Sequence, residues 1–76
     1  MKSIKVSLIM AENVKNFVNI LSRYPYEADL KSGRFVIDAK SLLGIFSLDL
    51  SKPVILEIHS DKCDDLISDL APYVVK

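Results

Sequence analysis

Residues 53 to 60, PVILEIHS, constrain the fold of this chain more than any other stretch. On an extended backbone Val54, Leu56 and Ile58 fall on one side, and Ile55, Glu57 and His59 on the other. A β-branched apolar row of this kind is the core face of a central strand, and Pro53 is tolerated at its first position. The rest of the chain must then supply strands to flank it and something apolar to cover it. KSIKVSLI, residues 2 to 9, alternates in the same way, with Ile4, Val6 and Leu8 opposite Lys5 and Ser7. Residues 27 to 32 and 34 to 39 read as a hairpin around Ser32-Gly33, where glycine supplies the positive φ of a tight turn. In its second arm Phe35 and Ile37 share a face, against Arg34, Val36 and Asp38.

The cover comes from three segments with helical spacing. Val14, Phe17, Val18, Leu21 and Tyr24 recur at three and four, which predicts an amphipathic helix over residues 12 to 24. Glu12 or Asn13 is expected at its cap, and Pro25 stops it, because the residue before a proline avoids helical angles. KSLLGIFSLDL, residues 40 to 50, reads as a short helix capped by Ser41; Gly44 lowers its propensity, so it frays by Leu48. Cys63, Leu66, Ile67, Leu70 and Val74 form the stripe of a last helix. Asp61 is its expected cap, Asp64 and Asp65 lie in its first turn, and Pro72 kinks or ends it. The order strand, helix, strand, strand, helix, strand, helix predicts an α+β fold. In it, four antiparallel strands carry three helices on one face and leave the other to water.

With 76 residues the chain makes one domain, 1–76, and its 50% apolar content suffices for a core. Ten basic residues balance ten acidic ones, which removes the electrostatic ground for nucleic acid or an acidic membrane as partner. A single cysteine, Cys63, forms no internal disulfide and fits a reducing cytoplasm. The apolar runs are too short for a signal-peptide core or a membrane span.

The order, the length and one motif together resemble HPr, the histidine-containing phosphocarrier family of the bacterial sugar phosphotransferase system. In DLKSGRFVIDAKSLLGIFSLDL, residues 29 to 50, Val36, Ala39, Lys40, Ser41, Leu43, Gly44 and Leu48 fall in step with the family pattern V-N-A/L-K-S-I-M/L-G-V/L-M-x-L. The KVS near the start and the strand at 54 to 58 fit as well. The resemblance implies an HPr-like open-faced β-sandwich. It also implies a phosphocarrier whose histidine, in a G-x-H-A-R-P stretch before the first helix, relays a phosphoryl group from a phosphoenolpyruvate-dependent enzyme to sugar transporters. The chain departs from the family there. Its corresponding stretch is LIMAENVKN, with Met10, Ala11 and Glu12 at the motif's place and neither histidine nor arginine. Phosphoryl transfer to imidazole needs a nitrogen nucleophile and donors that neutralise phosphate. Glu12 instead brings negative charge to the helix N-terminus. The expectation is a non-catalytic, degenerate HPr-like protein rather than an enzyme. The alternative is a phosphocarrier with an atypical acceptor.

Each remaining candidate carries a functional and a plain reading. In the gram-positive branch of the family the serine at the Ser41 position is phosphorylated by a dedicated kinase, and the modified protein binds a regulator of carbon catabolite repression. Carried to Ser41, this implies a phosphate at a helix start beside Lys40; the plain reading is an N-cap alone. Leu42, Ile45 and Leu48 have the spacing of a core face. Leu43 and Phe46 have the same spacing on a neighbouring face, which in the family is an exposed docking patch; the plain reading folds Phe46 over the sheet edge. Lys40, Leu43 and Phe46 are therefore the expected partner patch. The resemblance implies a phosphotransferase component, a serine kinase or a transcriptional regulator as partner, and leaves the oligomeric state open. His59 reads as a solvated strand-end residue and Cys63 as a buried structural thiol. HSDKCDD, residues 59 to 65, has metal-ligand letters but no standard metal spacing, so neither metal nor cofactor is expected. Glu12 as an imitation of a phosphorylated acceptor is a poor copy of phosphate. Lys2, Lys5 and Lys15 read as ordinary solvated surface.

Overall fold

The computed structural model describes residues 1–75. Its elements are β1 (Lys2–Val6), α1 (Ala11–Ser22), β2 (Ala28–Ser32), β3 (Phe35–Asp38), α2 (Leu42–Phe46), β4 (Val54–Ile58) and α3 (Asp64–Asp69), closed by a 3₁₀ turn over Ala71–Tyr73. The strands form one sheet in the order β1-β4-β2-β3, antiparallel throughout. PVILEIHS is indeed central: Leu56 lies opposite Ile4 on one side and Leu30 on the other.

Register then sorts the side chains. Val54, Leu56 and Ile58 are fully or almost fully buried, together with Val6, Ala28 and Leu30. Helix α1 covers this face with Val14, Phe17 and Leu21, α2 with Ile45, and α3 with Leu66, so all three helices lie on one side. Each such Leu, Val or Phe contributes about 1.5–3 kcal/mol through its removal from water. The opposite face carries Lys5, Asp29, Lys31, Asp38, Glu57 and His59 by the alternation of the ladder. Lys31 pairs with Glu57 at 3.0 Å and His59 with Asp29 at 3.0 Å across neighbouring strands. This is the predicted α+β architecture, with an apolar covered face and a charged open one.

The hairpin turns where the sequence placed it. Ser32 pairs with Phe35 around a two-residue loop, and Gly33 has φ +59° at the first central position, where a type II′ turn needs it. Four local expectations are corrected. Strand β1 ends at Val6 instead of Ile9, because residues 7 to 10 peel away to reach α1; Leu8 is still buried. Helix α1 spans Ala11–Ser22 instead of residues 12 to 24, so neither Glu12 nor Asn13 is its cap. Met10 holds the cap position without a side-chain bond, and Glu12 lies in the first turn, where its charge favours the helix. Helix α3 starts at Asp64 after Cys63, so Asp61 is not its cap; its carboxylate bonds the amino group of Met1 instead. That helix ends at Asp69, with Leu70 as its C-cap ahead of Pro72, so Val74 leaves the helical stripe and bridges to Val6 as extended chain. A proline that ends a helix early makes this exit, and it lets the Ser7 N–H reach the Tyr73 carbonyl at 2.8 Å.

Candidate functional site

Helix α2 and its cap hold three of the residues that the sequence singles out, Ser41, Leu43 and Phe46. The helix has five residues, and it starts because Ser41 adopts an extended backbone whose Oγ accepts the Gly44 N–H at 3.2 Å. Gly44 also leaves the room this cap needs: a Cβ there would lie 3.1 Å from Ser41 Oγ and 3.4 Å from Ile37 Cδ1. Ile45 and Leu48 point into the core, and Leu42 is half-buried against it. Leu43 is 85% exposed and Phe46 42%, so this helix presents two apolar side chains to solvent.

Lys40 faces elsewhere. Its Nζ donates to the Tyr24 carbonyl at 2.9 Å, and its backbone N–H to Asp38 Oδ1 at 2.9 Å. The ammonium is half-buried and occupied at the C-terminal end of α1. The Met10–Glu12 turn lies at the other end of that helix, about 18 Å away at 1.5 Å per residue. The structure therefore gathers Ser41, Leu43 and Phe46 on α2 but separates the Lys40 ammonium from the turn where the phosphocarrier motif would stand.

That turn is apolar and open. Ile9 is 66% exposed and Met10 60%, Glu12 is exposed, and none of them supplies the imidazole nitrogen of the phosphocarrier motif. His59 follows Ile58, which pairs with Lys2, whereas α1 follows the Val6 end of the same strand. The one histidine is thus at the opposite end of the sheet, on the open face. Cys63 is buried, its Sγ is 3.5 Å from the Ser60 carbonyl, and burial pushes the thiol pKa up. Among the described residues no group of three or more His, Cys, Asp or Glu could hold a metal ion. Nor is any helix long and apolar enough to cross a membrane.

The sequence reading missed how the segment after α1 is tied down. Tyr24 and Tyr26 stack with ring centroids 6.0 Å apart. The Tyr24 hydroxyl donates to the Asp69 carboxylate and the Tyr26 hydroxyl to Asp65 at 3.1 Å. The bond to Asp69 pushes the Tyr24 pKa up to about 12, and burial raises that of Tyr26. Tyr24 thus serves α2 through its carbonyl and α3 through its hydroxyl. A groove of about 520 Å³ lies between the hairpin tip and the α2–β4 connection, lined by Arg34, Phe35, Asp49 and Lys52 among others, and it includes none of the candidate site residues.

No family model matches the chain. No curated protein matches it either. Solved structures do. HPr from Thermoanaerobacter tengcongensis superposes with a TM-score of 0.78 at 24% identity, over 95% of this chain and 89% of that one. The phosphocarrier protein HPr from Bacillus anthracis gives 0.72 at 23% identity, over 97% and 94%. Crh, the catabolite repression protein of Bacillus subtilis, whose structure is a swapped, intertwined dimer, gives 0.63 at 22% identity, over 96% and 90%. At these identities the likeness is one of architecture. Four antiparallel strands in the order β1-β4-β2-β3 under three helices, matched over almost the whole length of phosphocarrier structures, make this an HPr-like fold.

Proposed function

We propose that the chain is a non-catalytic HPr-like protein, a regulatory or protein-binding module of the sugar phosphotransferase or carbon-regulation system, working in the cytoplasm as one domain. The observation that carries this reading is the surface of α2. Leu43 and Phe46 are exposed on a helix whose first turn is capped by Ser41, while the stretch 7 to 16 offers neither a histidine to take a phosphoryl group nor an arginine to balance it. Two apolar side chains held out on a rigid helix cost solvation and gain only when a partner covers them. The partner class is a protein: a phosphotransferase component, a serine kinase or a transcriptional regulator. Phosphorylation of Ser41 is the proposed switch. A dianionic phosphate there would end the present cap bond to Gly44 and add charge beside the apolar pair.

Phosphate incorporation followed by mass spectrometry tests this in two tubes, one with phosphoenolpyruvate and the general phosphotransferase enzyme, the other with ATP and the HPr serine kinase. Phosphate on Ser41 in the second tube alone, lost in Ser41→Ala, supports the regulator. Acid-labile phosphate in the first tube overturns the non-catalytic reading.

A further inference from the structure

The two edges of the sheet are treated differently. The outer edge of β1 is covered by the segment after α3: the Val75 N–H reaches the Lys5 carbonyl at 2.8 Å, the Ser7 N–H reaches Tyr73, and Val74 bridges to Val6. The outer edge of β3 is bare among the described residues. Its parity can be read from the ladder. Ser32 and Phe35 close the hairpin as a hydrogen-bonded pair, and the Ala39 N–H reaches the Ala28 carbonyl at 3.0 Å. Odd-numbered residues of this strand therefore turn their backbone groups toward β2, and Val36 and Asp38 turn theirs outward. The Asp38 carbonyl is taken by the Ser41 N–H at 3.0 Å. What remains at the edge is the N–H and carbonyl of Val36, the N–H of Asp38 and the carbonyl of Arg34. Phe35 is 70% exposed and Val36 56%, so more than half of each side chain here is open to solvent.

A bare apolar edge invites another strand, and the sequence of this one specifies which. RFVID, residues 34 to 38, is chemically self-complementary when turned about its middle residue. We infer that β3 pairs antiparallel with β3 of a second copy of this chain, about a twofold axis at Val36, to form a dimer with one continuous sheet. In that register Val36 faces Val36 of the second copy and the two exchange N–H to carbonyl bonds. The Asp38 N–H of each copy donates to the Arg34 carbonyl of the other. Arg34, the turn residue directly before β3, lies opposite Asp38, a cation against an anion, and both residues are exposed. Phe35 lies opposite Ile37 in a non-hydrogen-bonded pair, where side chains come closest, so each copy covers the other's exposed ring. A parallel arrangement, or a shift by two residues, would still set apolar side chains against each other but would break the charge match, so the Arg34–Asp38 pair is what selects this register. The pairing exchanges no element between copies and is independent of the α2 surface. The strip is short, so the dimer is a weak one, formed by mass action at high concentration.

Sedimentation of the full chain from about 10 μM to about 1 mM tests this, read together with amide hydrogen exchange at Val36. The expected result is a weight-average mass that climbs from 8.5 kDa toward twice that value, with the Val36 amide gaining protection in step. Arg34→Asp or Asp38→Arg alone should move the midpoint about tenfold or more to higher concentration, by setting like charges opposite each other twice. The double exchange should restore it. Val36→Pro, which removes an outward N–H from an edge where proline is tolerated, should abolish dimerisation; if it fails to fold, the charge series decides. A monomer at every concentration overturns the proposal. So does a dimer that either single reversal leaves intact, or one that the double exchange does not restore.

Discussion

The ammonium of Lys40 and the carbonyl of Tyr24, 2.9 Å apart, join the start of α2 to the end of α1 across sixteen residues of sequence. Sequence reading set Lys40 beside Ser41 as a charge for a partner or a phosphate. Its side chain is instead half-buried and committed to a backbone carbonyl. Replacing Lys40 with methionine keeps the packing stem and removes the charged donor, so the chain should lose about 1–2 kcal/mol of stability. Urea denaturation measures this. An unchanged midpoint would mean the contact contributes nothing.

The cap of α2 and its glycine should behave as a coupled pair. Ser41→Ala should cost about 1 kcal/mol. Gly44→Ala gains helix propensity but crowds Ser41 Oγ at 3.1 Å, so alone it should give little or none of the roughly 1 kcal/mol that the propensity scale promises. With Ser41→Ala already in place the nearest clash is gone and the same change should be more favourable. A thermal-denaturation double-mutant cycle checks the sign; strict additivity would contradict the geometry.

Leu43 should separate binding from folding. It is 85% exposed, so Leu43→Ser should leave stability within about 0.5 kcal/mol. Phe46, more than half covered, should cost more on truncation to alanine, about 1–2 kcal/mol. Calorimetric unfolding distinguishes the two, and a protein partner captured through this helix should lose affinity with either variant. Binding indifferent to both would remove α2 as the docking surface.

Tyr24 gives a pH signature. Its hydroxyl donates to Asp69, which favours the neutral phenol in the folded chain and raises its pKa from 10.0 to about 12. A group whose folded pKa is raised contributes stability that is fully present below its unfolded pKa. For Tyr24 that contribution should be lost as pH rises through about 12. Absorbance of tyrosinate should show this late phenol in the intact chain, and Asp69→Asn should bring it back toward 10.0. An unshifted titration curve in the variant would remove Asp69 as the cause.

The sheet was legible because alternation is a strong signal wherever one face is buried. Val54, Leu56 and Ile58 identified the central strand, and Gly33 identified the turn. Helix ends were less so. Asp61 looks like a cap, yet the last helix starts three residues later, because tertiary contacts choose among several competent capping positions. The apolar pair Leu43 and Phe46 followed from three-residue spacing on a helix too short to bury both faces. The engagement of Lys40 and the two tyrosines did not follow, since those bonds join segments with no shared periodicity, and only the closed fold brings them together. The bare edge of β3 was hidden for a related reason: strand order belongs to the whole sheet and leaves no mark in a single strand's residues.

That strand order also governs how the protein is made. β1 is synthesised before the other strands of the sheet, but among the described residues its ladder partner is β4, and the segment that covers its far side comes after α3. Until residues 54–58 have been synthesised, the apolar row of β1 has nowhere to go. The nascent chain can set the β2–β3 hairpin early, because that contact is local. The sheet closes around its central strand only when β1, β2 and β3 have all been made. Through the synthesis of α1, β2, β3 and α2, β1 therefore stays without its ladder partner.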